Sequence, residues 1–131
     1  MKVLVAEDSS LLRTQIARLF SELPGIELVG DMRGALEACQ AIGELKPDVV
    51  ILDILMNGGN GIDSLRKIKL RDTHPVVIVL TDRTSPPYRA RAADAGADFF
   101  LDKATEFGRI REIIQELARG GSSTLKEGFA L

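Results

Sequence analysis

The sequence has 131 residues, 45% hydrophobic and 27% charged, which suits one globular domain with a core of its own. The net charge of −2 provides no basic surface of the kind that binds nucleic acid or anionic lipid. The single cysteine, Cys39, excludes an internal disulfide, and we expect a buried thiol in a cytoplasmic protein. The apolar run at the N-terminus stops at Glu7 and is too short for a signal peptide or a membrane span.

Short apolar runs alternate with amphipathic stretches along the chain. The runs predict strands, and apolar residues at spacings of three and four predict helices. In chain order the prediction is strand 2–6, helix 12–23, strand 26–30, helix 35–45, strand 48–52, helix 62–70, strand 76–80, helix 86–95, strand 98–101 and helix 107–117. The third and fourth strands are apolar without alternation, which is typical of strands covered on both faces.

Capping and helix-breaking residues mark several predicted boundaries. Ser9 or Ser10 is placed to cap the first helix, because a serine oxygen accepts a backbone N–H there. Pro86 suits the first turn of the fourth helix, and Gly96 suits its end. Thr105 is expected to cap the last helix.

Five strands alternating with five helices predict an α/β fold with a doubly wound, five-stranded parallel sheet. We expect the domain to cover residues 1–119 and residues 120–131 to form a flexible tail. A stand-alone protein is the preferred interpretation, with a fragment of a longer regulator as the alternative. In such a sheet, ligands bind at the carboxyl ends of the strands.

Polar residues suited to phosphate chemistry follow four of the predicted strands. They are Glu7, Asp8, Asp53, Thr81 and Lys103. Carboxylates crowded at one edge repel each other unless a cation neutralises them, and oxygen ligands favour Mg²⁺ or Mn²⁺. A carboxylate can attack phosphorus, while an ammonium and a hydroxyl stabilise phosphoryl oxygens. Singly, each residue is explained by a turn, a cap or surface charge, but together they predict a metal-dependent phosphoryl site.

Five motifs occur in order: V-L-V-A-E-D, P-D-V-V-I-L-D, N-G-I-D, V-I-V-L-T and A-G-A-D-F-F-L-D-K. Asp53 lies 45 residues after Asp8, and Thr81 lies 28 residues after Asp53. Lys103 follows Thr81 by 22 residues. In these motifs and spacings, residues 1–119 resemble the receiver (CheY-like) domain of two-component response regulators. The resemblance implies a flavodoxin-like fold and a signalling protein of bacterial type, not an enzyme.

The resemblance also implies roles for the matching positions. Asp53 looks like the phosphoacceptor. Asp8 looks like a direct ligand of Mg²⁺ or Mn²⁺, and Glu7 looks like its outer-sphere companion, bound through water. Asp53 and the backbone carbonyl of Leu55 would complete the protein's share of the metal shell.

Further positions match the family's switch and its control of phosphoryl lifetime. Thr81 would contact the phosphoryl group, and Lys103 would pair with it. Phe100 matches the aromatic switch position coupled to Thr81, although it is otherwise explained as a packing residue. Leu55 and Arg83 match positions that line the path of the hydrolytic water. A bulky Leu55 and a cationic lid formed by Arg83 predict slow self-dephosphorylation, unless both side chains point to solvent.

Three departures from the family pattern concern the loops around the site. Asn57 replaces a usual proline after the phosphoacceptor, so that loop is expected to be more mobile. Ala104 replaces a common proline after Lys103 and leaves the start of the last helix less fixed. Asp82 replaces a small residue after Thr81 and adds negative charge beside the site.

The implied partners are a sensor histidine kinase or a histidine phosphotransfer protein, and a downstream target protein. Signalling is expected through the last two helices and the fifth strand, with Arg89 and Arg91 on that surface. We expect a cytoplasmic monomer or weak dimer that binds neither nucleic acid nor membrane.

Three other protein classes fit these features less well. A haloacid-dehalogenase-type enzyme needs a second acid two residues after the nucleophile, where Leu55 stands. A flavin carrier needs a phosphate-binding loop after the first strand, where Glu7 and Asp8 would repel phosphate. A degenerate receiver that serves only for docking would be expected to lack the acids or Lys103.

Overall fold

The computed structural model describes residues 1–54 and 61–120. The strands are β1 (Lys2–Ala6), β2 (Glu27–Met32), β3 (Val49–Leu52), β4 (Val76–Thr81) and β5 (Phe99–Asp102). The helices are α1 (Ser10–Ser21), α2 (Ala35–Leu45), α3 (Gly61–Lys69), α4 (Pro86–Asp94) and α5 (Arg109–Ala118). All strands pair in parallel in the order β2-β1-β3-β4-β5, which confirms the predicted doubly wound α/β fold. The predictions for Leu55, Asn57 and the tail beyond residue 120 lie outside the described residues.

Helices cover both faces of the sheet, because successive strand residues point to opposite sides. Helices α1 and α5 cover one face, with buried side chains at Ile16, Phe20, Ile110, Ile113 and Ile114. Helices α2, α3 and α4 cover the other face, with buried side chains at Ala38, Ile42, Leu65, Ile68 and Ala92. Every residue of β3 is therefore buried, as its unbroken apolar run predicts.

Two buried phenylalanines illustrate the double coverage. The sequence requires at least one of Phe99 and Phe100 to face a core, and both do, with exposed fractions of 1% and 2%. Phe99 belongs to the core that α1 and α5 cover, whereas Phe100 belongs to the core that α2, α3 and α4 cover. Cys39, expected to be buried, is only half-buried beside the same core as Phe100.

Most predicted helix boundaries agree with the structure. Ser9 caps α1, since its Oγ accepts the Leu12 N–H at 3.2 Å. Pro86 begins α4, and Gly96 follows its end with a φ of +103°. Within the described segments, no helix is long and apolar enough to cross a membrane.

The predicted cap at Thr105 is wrong, because α5 begins only at Arg109. The carboxylate of Asp102 accepts the backbone N–H groups of Ala104 at 2.7 Å and Thr105 at 3.3 Å. These bonds make a turn at the end of β5 in which the Thr105 N–H is already engaged. The helix starts after this turn, with Gly108 at its N-cap and no side-chain capping bond.

The topology also locates the crevice where ligands bind in folds of this class. The strand order reverses at β1, which lies between β2 and β3, so the connections on either side of it diverge. Glu7 and Asp8 follow β1, and Asp53 follows β3. The three acids therefore lie at the carboxyl edge of the sheet, on both sides of the switch point.

Candidate functional site

Three carboxylates converge at the carboxyl edge of the sheet. The Asp53 N–H donates to the Ala6 carbonyl at 3.0 Å, which continues the β1–β3 pairing to the last residue before the loop. One carboxylate oxygen from each of Glu7, Asp8 and Asp53 lies within 4.8 Å of the others. Glu7 and Asp53 are only 1% and 3% exposed, whereas Asp8 faces solvent. Buried carboxylates this close need a compensating cation.

Lys103, which follows β5, supplies one positive charge to this cluster. Its Nζ donates to Asp53 Oδ2 at 2.6 Å and to Glu7 Oε1 at 2.9 Å. Its backbone N–H donates to the Thr81 carbonyl at 3.1 Å, which joins the ends of β4 and β5. The structure thus brings together residues that are as many as 96 positions apart in the sequence.

The balance of charge in the cluster shifts two pKa values. Burial raises the pKa of Glu7 above its ordinary value of 4.5, and the charge of Asp53 acts in the same direction. Hydrogen bonds from Lys103 and the Ser9 N–H oppose that shift without cancelling it. For Lys103, burial alone would lower the pKa, but its bonds to Asp53 and Glu7 outweigh burial and raise it above 10.5. Lys103 is therefore a fixed cation at neutral pH.

One oxygen of Glu7 lacks a hydrogen bond although it is buried. Glu7 Oε2 lies 2.8 Å from Lys103 Nζ, an ion-pair distance, but in a direction that makes no hydrogen bond. An oxygen-only donor set, surplus negative charge and a buried acceptor without a hydrogen bond fit a hydrated divalent cation such as Mg²⁺. The residues present are therefore suited to the metal that the sequence predicts.

Thr81 ends β4 and is fully buried. Its Oγ accepts the Arg83 N–H at 3.1 Å, so the hydroxyl hydrogen is left to donate to another acceptor. Lys103 is its backbone neighbour across the β4–β5 pair. Thr81 is therefore joined to the acidic cluster through the backbone of Lys103.

Leu55 and Arg83 are the two residues predicted to control the lifetime of the phosphoryl group. Leu55 lies outside the described residues. Arg83 is exposed, and its guanidinium carbon lies 6.0 Å from the ring centroid of Tyr88 in α4. A lid over the phosphoryl site would require the Arg83 side chain to leave Tyr88, so the lid stays a prediction.

Two arginines make contacts near the site that sequence motifs do not predict. Arg13 Nη1 donates to the backbone carbonyl of Glu7 at 2.7 Å, which brings a guanidinium beside the acids. Arg13 lies near the start of α1, where the positive end of the helix dipole disfavours a cation that has no acceptor. This position is the feature of the sequence from which a partner for Arg13 could have been predicted. Arg89 stacks on Phe100, with its guanidinium carbon 4.7 Å from the ring centroid. No local pattern links those two residues, because they lie on different elements.

A glycine fixes the start of α3 against the strand that carries Asp53. A Cβ at Gly61 would lie 2.3 Å from the Cα of Ile54, the residue that follows Asp53. Backbone cannot yield as a flexible side chain can, so this close approach requires glycine. The close contact between Gly61 and Ile54 thereby helps to fix the position of Asp53 at the end of β3.

Comparison with known proteins gives consistent relatives. The family model for the response regulator receiver domain matches residues 3–115. The chain is 31% identical over 120 residues to response regulator GacA of Pseudomonas aeruginosa, covering 92% of this chain and 56% of that protein. It is 40% identical over 119 residues to a protein-glutamate methylesterase/protein-glutamine glutaminase of Methanospirillum hungatei, covering 89% and 35%. The chain thus spans about half or less of these curated relatives.

Solved structures match as well. A LuxR-family DNA-binding response regulator from Staphylococcus aureus aligns with a TM-score of 0.80 and 29% identity, over 88% of this chain and 97% of that one. The response regulator domain of Thermotoga maritima CheB aligns with a TM-score of 0.78 and 28% identity, over 93% and 96%. These chains share the fold described above along nearly their whole length.

Proposed function

Because the chain belongs to the response regulator receiver family, we propose that it accepts a phosphoryl group on Asp53. The donor would be a sensor histidine kinase or a histidine phosphotransfer protein. The observation that supports this most is the buried Asp53 carboxylate, set within reach of Glu7 and Asp8 and held by Lys103 at 2.6 Å. Three carboxylates around one ammonium repel each other, so this arrangement is unfavourable for stability alone and indicates a function.

The proposed transfer is a displacement at phosphorus. An oxygen of the Asp53 carboxylate forms a bond to phosphorus while the bond from phosphorus to the donor histidine nitrogen breaks, and the electron pair of that bond stays on the imidazole. Lys103 neutralises the phosphoryl oxygens, exchanging its bond to Asp53 Oδ2 for bonds to the new group. Thr81 donates its free hydroxyl hydrogen to one of those oxygens.

Asp8 and Asp53 would hold Mg²⁺ or Mn²⁺ directly, with Glu7 bound through water and the Leu55 carbonyl completing the set. When bound, the metal neutralises negative charge that gathers on the phosphoryl oxygens. Asp8 is the exposed member of the acidic cluster and thus the one that meets an entering hydrated ion. The buried Glu7 Oε2 is suited to accept a hydrogen bond from metal-bound water.

We propose that the signal reaches a partner through the surface formed by α4, β5 and α5. Phosphorylation would shift an existing equilibrium of the Thr81 loop and Phe100 and so alter the surface of α4, β5 and α5. A downstream target protein would recognise that surface, which includes Arg89 and Arg91. From the net charge of −2 we propose that the chain itself does not bind nucleic acid, and that it acts in the cytoplasm as a monomer or weak dimer.

The lifetime of the acyl phosphate is proposed to be long. Leu55 offers no hydrogen bond to orient a hydrolytic water, and Arg83 would fold over the phosphoryl oxygens after leaving Tyr88. Leu55→Asn combined with Arg83→Glu should speed the loss of the phosphoryl group, as followed by intact mass over time. Equal decay of the double variant and wild type would end this part of the proposal.

The function itself is tested by incubation with acetyl phosphate and Mg²⁺. Intact-mass spectrometry should find one alkali-labile phosphoryl group on the wild type and none on Asp53→Asn. Asp72→Asn, at an exposed aspartate between α3 and β4, is the matched control and should be labelled like the wild type. Labelling of Asp53→Asn to the wild-type level would overturn the assignment.

A further inference from the structure

The side chain of Arg89 contacts two parts of the proposed switch at once. Its guanidinium carbon lies 4.7 Å from the centroid of the Phe100 ring, within the range of a cation–π contact. Its Nε donates to the backbone carbonyl of Thr84 at 3.3 Å. Arg89 is half-buried in α4, so both contacts are partly shielded from water.

These contacts tie a loop to a buried ring. Thr84 lies in the loop between β4 and α4, three residues after Thr81, and Phe100 lies on β5 beneath α4. The Phe100 ring is 2% exposed and packs in the same core as Ala92 of α4. Arginine is suited to this double role, because its planar guanidinium can stack on a ring while its edge donates a hydrogen bond.

The loop is also held at its beginning. Thr81 Oγ accepts the Arg83 N–H at 3.1 Å, which folds the loop back on the end of β4. If Thr81 turned to a phosphoryl group on Asp53, residues 82–84 would have to follow. The Thr84 carbonyl would then leave Arg89, which also covers Phe100. The Arg89–Thr84 contact would therefore favour the conformation without phosphate.

We propose that Arg89 is a positioning residue that holds the β4–α4 loop and Phe100 in the unphosphorylated conformation. This inference rests on the function proposed above and adds a residue that opposes activation. An interaction present in one conformer shifts the equilibrium toward it by the free energy of that interaction. Loss of the guanidinium should therefore favour the phosphorylated conformation even before phosphate is bound.

The test uses beryllofluoride with Mg²⁺ as a phosphoryl analogue and measures its affinity by calorimetry. Arg89→Met keeps the length of the side chain and removes the charge, and it should bind the analogue about fivefold more tightly than wild type, the scale of a half-buried cation–π contact. Arg18→Met is the matched control, since Arg18 is exposed on α1, away from the proposed output surface, and makes no ring contact within the described part of the chain. Its affinity should equal that of wild type.

Two more variants separate positioning from general damage to α4. Arg89→Lys keeps a cation near the ring but loses the planar guanidinium. Its affinity for the analogue should therefore lie between that of Arg89→Met and the weaker affinity of wild type. In a Phe100→Leu background, Arg89→Met should change the affinity less than it does alone, because the ring contact is already lost. Equal effects in both backgrounds would overturn the proposed contact with Phe100.

The outcomes distinguish this inference from the proposed function. If wild type binds beryllofluoride and Arg89→Met binds it equally or more weakly, Arg89 does not hold the unphosphorylated conformation. If neither wild type nor any variant binds the analogue, the proposed phosphoryl site is itself wrong, and the inference falls with it. Tighter binding by Arg89→Met together with unchanged binding by Arg18→Met supports the inference.

Discussion

The sheet carries a lysine–carboxylate cluster at each of its two edges, and the two clusters differ in their balance of charge. At the amino edge, Lys69 Nζ lies 2.7 Å from Asp98 Oδ2 and also donates to the Pro75 carbonyl at 3.1 Å. The same Asp98 oxygen accepts the Val77 N–H at 2.9 Å. The two side chains are each 14% exposed, so this ion pair is largely buried and its groups are hydrogen-bonded.

At the carboxyl edge, the Lys103 side chain has a similar exposed fraction of 13% but faces a surplus of acid. It pairs with both Glu7 and Asp53, while Asp8 adds a further carboxylate within 4.8 Å. One oxygen of Glu7 is left without a hydrogen bond. A buried lysine–carboxylate ion pair is thus not by itself an indication of function. A cluster in which acids outnumber the lysine, and in which a buried carboxylate oxygen has no hydrogen bond, does indicate function.

The largest expected effect comes from removing each lysine. Lys103→Met and Lys69→Met should each lower the free energy of unfolding by about 3 kcal/mol, because each leaves buried carboxylate without its cation. Saturating MgCl₂ should restore much of the loss in Lys103→Met and none in Lys69→Met, since among the residues that the structure describes the acidic cluster suited to a metal lies at the carboxyl edge. Urea unfolding with and without MgCl₂ measures this. Equal recovery of both variants would erase the proposed difference between the edges.

Each cluster also adjoins a glycine, and the two glycines should respond differently to substitution. Gly61→Ala sets a Cβ against the Ile54 backbone and should cost about 2 kcal/mol while slowing labelling of Asp53 by acetyl phosphate. Gly96→Ala meets the flexible Lys69 side chain and a φ of +103°, and it should cost about 1 kcal/mol with labelling unchanged. Chemical unfolding and timed intact-mass measurements give both quantities. Slower labelling of Gly96→Ala would contradict the separation.

A smaller effect is expected from Asp8→Ala. Charges 4.8 Å apart in water repel by about 1 kcal/mol, so the variant should be more stable than wild type by about that amount in metal-free buffer. Its affinity for Mg²⁺ should fall about tenfold or more, since a proposed ligand is lost. Thermal unfolding across an Mg²⁺ titration reports both changes. Unchanged Mg²⁺ affinity would remove Asp8 from the ligand set.

The smallest effect is a pH dependence carried by Glu7. A raised pKa means that folded Glu7 binds its proton more tightly than the unfolded chain does. Its contribution is present below pH 4.5 and is lost as the pH rises through the raised value. Without metal, Glu7→Gln should therefore gain stability relative to wild type as the pH rises from 4.5. Lys103, whose pKa is raised above 10.5, loses its contribution only at higher pH and does not disturb this range.

The control for Glu7 is Glu44→Gln, which alters an exposed glutamate on α2. Urea unfolding of this variant over the same pH range measures the effect of removing a glutamate charge at an exposed position. A Glu7→Gln curve parallel to that of wild type would mean that burial of Glu7 has no net effect on its protonation.

The alternation of apolar runs was enough to predict the sheet, because strand burial on both faces leaves a direct pattern in the sequence. The strand ends of the carboxyl edge followed from the same topology. Thr105 was mispredicted because a capping residue type is equally suited to a turn, and the carboxylate of Asp102 engages its N–H first. Arg89 and Phe100 meet only through tertiary packing, so no spacing rule could pair them.

The central claim is that Asp53, among the crowded acids of the carboxyl edge, is the one that carries the phosphoryl group. Borohydride reduction of the acetyl-phosphate-treated protein converts an aspartyl phosphate to homoserine, and tandem mass spectrometry then locates it. The account predicts homoserine at position 53 and unmodified residues at Glu7 and Asp8. A reduced product at either of those two positions, or a phosphoryl group that withstands borohydride on a hydroxyl such as that of Thr81, would contradict it.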